Sequence, residues 1–196
     1  MKGVFIKGNQ FYLRAINEED VDTIRHWGDD YQVTRYLSRG LFPSNLELAK
    51  EQYRQMVRAS NEVEMLIVDE KTGLPIGITG IHSINWVARS AEFRILMGEK
   101  EFWGKGIGSS VAQLLTAYGF QKLNLNKVWL GVAAANKRAY HSYIKAGYKK
   151  EGVLRQEVYR NGKYYDAVRM SILRNEYNEK VKEWKTFELI TEQFQE

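Results

Sequence analysis

The sequence predicts an α/β fold of the α+β kind, a mixed central sheet flanked by helices, and three observations carry that prediction. Residues 91–98 form a strand pattern, 102–110 a glycine-rich turn and the next residues a long apolar-periodic helix, with another strand pattern at 127–133. A helix joining two strands makes a crossover, so these strands are expected to lie parallel. Asn161-Gly162 stands between alternating runs at 152–160 and 164–173, the strongest short signal for a two-residue hairpin. Short β-rich runs at 65–68 and 76–84 flank a turn at 69–75, which adds an antiparallel pair.

Taken in order, residues 4–16 hold a strand centred on Phe11, Tyr12 and Leu13, and Asn17-Glu18-Glu19-Asp20 is a cap and acidic first turn for a helix to about Trp27. Residues 29–44 are irregular and aromatic-rich, and Ser44-Asn45 opens a second helix containing Leu48, Gln52, Met56 and Val57. Those aromatics either wall a pocket or close the core. Gly77 and Gly80 inside 76–84 mark close backbone approach or a bulge. Ile107, Val111, Leu114, Leu115 and Tyr118 recur at helical spacing after the glycine turn. Asn136 caps a helix over 136–146 that Gly147 stops. Residues 175–196 read as helical, with Tyr177, Val181 and Trp184 on one side and Phe187, Ile190 and Phe194 following. This tail docks either on its own domain or on a second subunit, which keeps a homodimer among the expected assemblies.

Length and composition narrow the chemistry. The chain has 196 residues, 44% hydrophobic, enough for one domain spanning 1–196 with 175–196 as a C-terminal helical extension. Its net charge of +5 comes from 29 basic residues interleaved with 24 acidic ones, so no nucleic-acid partner is expected. There is no cysteine and only three histidines, His26, His82 and His141, so no metal site is expected and the chemistry falls to oxygen and nitrogen groups. The histidines read as structural or exposed, with His82 on a strand that borders a pocket. No stretch has the length or apolarity of a membrane span or leader, so no membrane partner and a cytoplasmic location are expected.

The glycine turn Trp103-Gly104-Lys105-Gly106-Ile107-Gly108-Ser109 has the makings of an anion cradle. Glycines let a ligand approach the main chain, and N–H groups at a helix start aim partial positive charge at a phosphate. No Gly-Lys-Ser/Thr closes it as a P-loop, and Ser109 stands where a dinucleotide fingerprint needs its last glycine.

This turn, with Asn136, Ala139, Tyr143, Gly147 and Tyr148 in the later helix, resembles the GNAT superfamily of acyl-CoA-dependent N-acetyltransferases. The turn aligns with the family's Q/R-x-x-G-x-G/A signature and the helix with its Asn…Ala…Tyr…Gly-Phe pattern. Phe11-Tyr12-Leu13-Arg14, Leu154-Arg155 and the residues from Asn161 to Asp166 are similar to the branch containing ribosomal-protein N-terminal acetyltransferases, which also includes polyamine, nucleotide-sugar and antibiotic acetyltransferases. One position departs from the pattern: Trp103 replaces the opening Gln or Arg, so phosphate binding rests on main-chain N–H groups and Lys105.

The resemblance implies splayed strands at 91–98 and 127–133, and acetyl-CoA as cosubstrate. It implies that Ile95, Leu96 and Met97 contact the pantetheine arm and that Gly104 to Ser109 hold the pyrophosphate, with a main-chain N–H near Met97 facing the thioester oxygen. It also implies that Asn136 bonds the arm, although capping alone accounts for Asn136. The acceptor is a primary amine, on a peptide or protein N-terminus or on a small molecule. Glu92 is the candidate base that takes the ammonium proton, directly or through water; it shares a strand face with Arg94 and Leu96. Tyr143 is the candidate donor to the departing sulfur. An ordinary tyrosine pKa of about 10 against a thiol at about 8.5 makes complete proton transfer uphill by roughly 2 kcal/mol, so hydrogen-bond donation competes with acid catalysis. Asp166 and Arg14 are candidate structural partners. The alternative function is a non-catalytic acyl-CoA-binding sensor of the same fold, which would release no thiol when an amine is supplied.

Overall fold

The computed structural model describes residues 3–37 and 40–194. Residues 38–39 of the predicted aromatic loop and the ends of the predicted domain, 1–2 and 195–196, lie outside the described residues. Eight strands form one sheet: β1 (Ile6–Lys7), β2 (Phe11–Ala15), β3 (Val63–Asp69), β4 (Pro75–Asn85), β5 (Ser90–Met97), β6 (Lys127–Ala133), β7 (Lys149–Arg160) and β8 (Lys163–Leu173). Their spatial order is β1-β2-β3-β4-β5-β6-β8-β7, antiparallel except for the central β5–β6 pair.

Period-two alternation divides the strand side chains between two cores. Ile67, Ile76, Ala91, Phe93, Val128 and Leu130 face α4 (Ile107–Gln121), which buries Val111, Leu114 and Leu115 against them. Leu66, Val68, Ile78 and Leu96 face the other way, under α1 (Val21–Asp29) and α3 (Leu46–Arg58), where Trp27, Ile24, Tyr53 and Met56 cover them. Gly77 and Gly80 are required by close approach, since a Cβ would stand 2.4 Å from the Leu96 carbonyl oxygen and 2.3 Å from that of Val63. Asn45 caps α3 by accepting from the Leu48 N–H at 2.8 Å.

The predicted first helix begins differently. A 3-10 turn at Glu18–Asp20 precedes α1, and the Asp20 carboxylate accepts from the Asn17 N–H at 2.8 Å and from both terminal nitrogens of Arg14 at 2.7 and 2.8 Å. A short α2 (Tyr31–Thr34) lies within the predicted irregular stretch. Asn161 and Gly162, at φ 51° and 75°, turn β7 into β8, the left-handed pair that this hairpin needs.

The tail docks on its own chain. It forms α6 (Arg174–Lys180), a 3-10 turn at Val181–Glu183 and α7 (Phe187–Phe194). Tyr177, Val181, Trp184, Ile190 and Phe194 are buried beside α4, each worth about 1.5–3 kcal/mol of apolar transfer. The helix breaks where Trp184 turns into the core and buried Thr186 donates its hydroxyl to Gln113 at 3.0 Å.

Candidate active site

The sheet opens at its only parallel pair among the described residues. β5 and β6 are registered at Ser90↔Lys127, Ala91↔Val128 and Glu92↔Trp129 and then separate, leaving a notch between residues 93–97 and 130–133. The Gly98 N–H bonds to Ile76 of β4, so by strand alternation the N–H and C=O groups of Met97, Ile95 and Phe93 point into the notch. Leu96 points the other way, and its carbonyl lies against Gly77 of β4. The expectation of three consecutive main-chain contacts is therefore corrected: Ile95 presents its backbone to the notch and Met97 its N–H, the Met97 carbonyl being taken by the Trp103 indole, while Leu96 spends its own on the β4 ladder.

The glycine turn follows β5 directly. Gly104 and Gly106 have φ of 79° and 85°, and a Cβ on Gly104, Gly106 or Gly108 would meet nothing within 4 Å. Packing does not demand these glycines; two are demanded by the left-handed backbone, and all three leave the main chain open to a ligand. The Ser109 and Ser110 N–H groups close on the Gly106 carbonyl, whereas those of Lys105, Gly106, Ile107 and Gly108 meet no acceptor among the described residues. Four free N–H groups at the start of a 15-residue helix suit a pyrophosphate.

Trp103 has a different job from the Gln or Arg of the signature. Its indole N–H donates to the Met97 carbonyl at 2.9 Å, and the Arg138 guanidinium lies over its ring at 4.3 Å. Arg138 belongs to α5 (Lys137–Lys145), whose flank is tied to the cradle by the Ser109 hydroxyl donating to the Ser142 carbonyl at 3.3 Å. Arg138 and Lys105 thus supply positive charge at the turn. Sequence reasoning missed Arg138, whose only signal was its place two residues after Asn136.

On α5, Asn136 caps the helix by accepting from the Ala139 N–H at 3.3 Å. Tyr143 packs edge-on against Phe93, ring centroids 6.1 Å apart at 83°, and 6.1 Å from Tyr148. Phe93 is the first residue past the last β5–β6 pair, so Tyr143 underlies the apex of the notch. Burial pushes its phenol up to about 12, which keeps it a proton donor.

Glu92 lies on the opposite face of the sheet, where one carboxylate oxygen accepts two bonds from Arg94, at 2.6 and 3.0 Å. Its cross-strand neighbour His82 is buried and directs Nδ1 at Glu62 Oε2 across 3.0 Å, while Nε2 has no hydrogen-bond partner among the described residues and lies 3.9 Å from Glu64. Glu64, His82 and Glu92 share one face of three adjacent strands, a grouping available from period-two alternation once the strand order is known. His26 and His141 each contact a carbonyl one helical turn back. Asp166 accepts from the Gln156 N–H at 2.9 Å across the hairpin bulge, and Arg14 pairs with Asp20; both are structural partners.

Above the open end of the notch the two sides meet again. Asp30, next to Tyr31, pairs with Lys100 at 2.7 Å, and Trp27 donates to Glu99 at 2.9 Å, which seats α1 and α2 at the end of β5. β8 pairs with β6 only as far as Ala133↔Ala167, so the hairpin tip projects past β6. Asn161 at that tip donates to the Tyr31 hydroxyl at 2.6 Å.

Comparison with known proteins agrees with this geometry. The acetyltransferase (GNAT) domain family matches residues 10–149. The spermidine N(1)-acetyltransferase of Vibrio cholerae is 33% identical over 169 residues, 86% of this chain and 96% of that protein. Its Escherichia coli K12 namesake is 33% identical over 84% of this chain and 87% of its own length. A crystal structure of spermidine N-acetyltransferase from V. cholerae in complex with CoA and spermine superposes with a TM-score of 0.80 at 31% identity, covering 87% of this chain and 99% of that one. Over 101 residues, 52% of this chain and 55% of the relative, it is also 34% identical to a putative ribosomal N-acetyltransferase of Bacillus subtilis. With a sheet that parts beside a glycine cradle and a family match across most of its length, this chain belongs to the GNAT acetyltransferases and is an acetyl-CoA-dependent N-acetyltransferase.

Proposed function

We propose that the protein acetylates the primary amine of a small molecule by direct attack, with coenzyme and acceptor bound together on opposite sides of the notch. One observation carries this reading: the separation of β5 from β6 after Glu92 and Trp129 connects the α4 face, with its cradle and Tyr143, to the face holding Glu92 and His82. The relatives named for spermidine favour a small amine over a peptide. The 196 residues contain no cysteine to carry the acyl group as a thioester, which favours direct transfer.

Each residue has a role in that scheme. The N–H groups of Lys105 to Gly108 hold phosphate, with Arg138 and Lys105 alongside. Main-chain groups of Ile95 and Met97 align the thioester in the notch, as preorganised donors do at acyl centres. The Tyr143 hydroxyl donates to the departing sulfur. Glu92 has one oxygen committed to Arg94 and keeps the other for the acceptor's ammonium proton, taken directly or through water.

Initial-rate kinetics test the scheme. Thiol release measured over a grid of acetyl-CoA and amine concentrations should give intersecting double-reciprocal lines. Parallel lines would show a covalent acyl-enzyme and overturn direct attack. Coenzyme binding with no thiol release for any amine would favour the acyl-CoA sensor.

A further inference from the structure

The cavity over the notch mouth carries information about the acceptor that the named relatives do not. It has a volume of about 130 Å³ and is lined by Tyr31, Thr34, Arg35, Gly40, Leu41, Tyr159, Arg160 and Asn161. Two features stand out in that lining: two arginines and, among the described residues, no acidic residue. Arg160 gives one terminal nitrogen to the Tyr159 carbonyl at 2.6 Å, and the Arg35 guanidinium lies over the Tyr36 ring at 4.6 Å. Arg35 and Arg160 form no ion pair among the described residues. Of the nearby carboxylates, Asp29 pairs with Arg25 at 3.0 Å and Asp30 with Lys100 at 2.7 Å, while the exposed Glu157, three residues before Arg160, lies outside the lining. A cation entering here would meet two like charges with no acidic residue in the lining to offset them. A compact oxyanion would meet two planar donors suited to it, beside a tyrosine hydroxyl and an amide held together at 2.6 Å.

Position makes this cavity part of the acceptor path. Tyr31 belongs to the β5 side of the notch and Asn161 to the β8 side, so their bond roofs the opening above the Glu92 face. An acceptor whose amine reaches the notch from that face extends its other end under this roof.

We infer that the acceptor is a bifunctional amine whose far end carries an oxyanion, a carboxylate or a phosphate, read by Arg35 and Arg160. This rests on the small-molecule reading above and separates this chain from its polyamine-named relatives, because a polyamine would bring a second ammonium to the two arginines.

Matched acceptors test it. Thiol release is measured with 1,5-diaminopentane and spermidine, with 6-aminohexanoate for the carboxylate case, and with glucosamine against glucosamine 6-phosphate for the phosphate case. Binding of the same compounds to the protein–CoA complex is followed by calorimetry. Anion-ended amines should bind more tightly than their uncharged or cationic counterparts. In Arg35→Gln and Arg160→Gln that preference should fall by about 10-fold or more, the scale of a lost charge-assisted hydrogen bond. The carboxylate and phosphate arms show which oxyanion is read. A preference for spermidine, or an anion preference indifferent to both substitutions, overturns the inference. Arginine-dependent binding without thiol release, while another amine does release thiol, would also overturn the inference; thiol release from no amine at all would count instead against the small-molecule reading on which it rests.

Discussion

The Trp103 indole donates to the Met97 carbonyl at 2.9 Å, closing the last acceptor on the notch edge of β5. The residue that departs from the GNAT signature is thereby a clasp between strand and cradle, and its ring carries Arg138 at 4.3 Å. Trp103→Phe keeps a ring under the guanidinium and removes only the N–H donor. A neutral hydrogen bond contributes about 0.5–1.5 kcal/mol, so titration calorimetry should show coenzyme affinity weakened by about 2- to 10-fold. Wild-type affinity in Trp103→Phe would mean that the clasp does not shape the coenzyme site.

Gly106 and Gly108 separate backbone demand from ligand approach. Gly106 has a φ of 85°, where a side chain costs about 1–2 kcal/mol, so Gly106→Val should lose both some thermal stability and coenzyme binding. Gly108 has no positive φ, and a Cβ there meets nothing within 4 Å. Gly108→Ala should therefore be as stable as the parent or up to about 1 kcal/mol more stable, yet bind the coenzyme more weakly if the ligand lies against this main chain. Unaltered binding in a well-folded Gly108→Ala would place the pyrophosphate elsewhere.

These contrasts show what could be read before the structure was known. The glycine turn and Asn161-Gly162 are legible because local conformation demands those residue types. The crossover helix made β5 and β6 parallel, but their separation after three pairs depends on how the whole sheet twists and has no local signal. The role of Leu96 was misjudged because hydrogen-bond direction alternates along a strand, and its phase was set by Gly98 bonding to Ile76. The Glu92–Arg94 pair followed from period two. The Tyr31–Asn161 bond joins residues 130 positions apart, so the cavity it roofs was beyond any pattern of spacing.

Tyr143 gives the clearest catalytic test. With its phenol pushed up to about 12 by burial, complete proton transfer to a thiolate of ordinary pKa near 8.5 would be uphill by roughly 5 kcal/mol. Hydrogen-bond donation is the favoured role. Tyr143→Phe should lower turnover by about 10- to 100-fold with coenzyme affinity nearly intact, and the ratio of wild-type to variant rates should stay level from about pH 6 to 10. Burial raises the folded pKa above the unfolded value of about 10, so this group's contribution to stability is whole below pH 10 and is lost as pH rises toward 12. The variant should accordingly resist alkaline unfolding better than the parent. A rate ratio of one would remove Tyr143 from the chemistry.

Arg14 and Asp20 supply a test of how the acceptor side is anchored. Their paired bonds of 2.7 and 2.8 Å join the end of β2 to the start of α1, with side chains only 15% and 6% exposed. Removing one partner leaves the other charge buried and unpaired, which costs about 3–5 kcal/mol, while replacing both with apolar side chains of similar size costs much less. Urea unfolding should therefore show a large loss for Arg14→Ala and a smaller one for Arg14→Met combined with Asp20→Leu, where the Asn17 N–H still loses its acceptor. Because α1 leads directly to Asp30 and Tyr31 at the notch mouth, loosening its first turn should raise KM for the amine more than it weakens coenzyme binding, which depends on the cradle and α5. Equal changes in both constants would show that the start of α1 supports the fold as a whole and has no particular hold on the acceptor side.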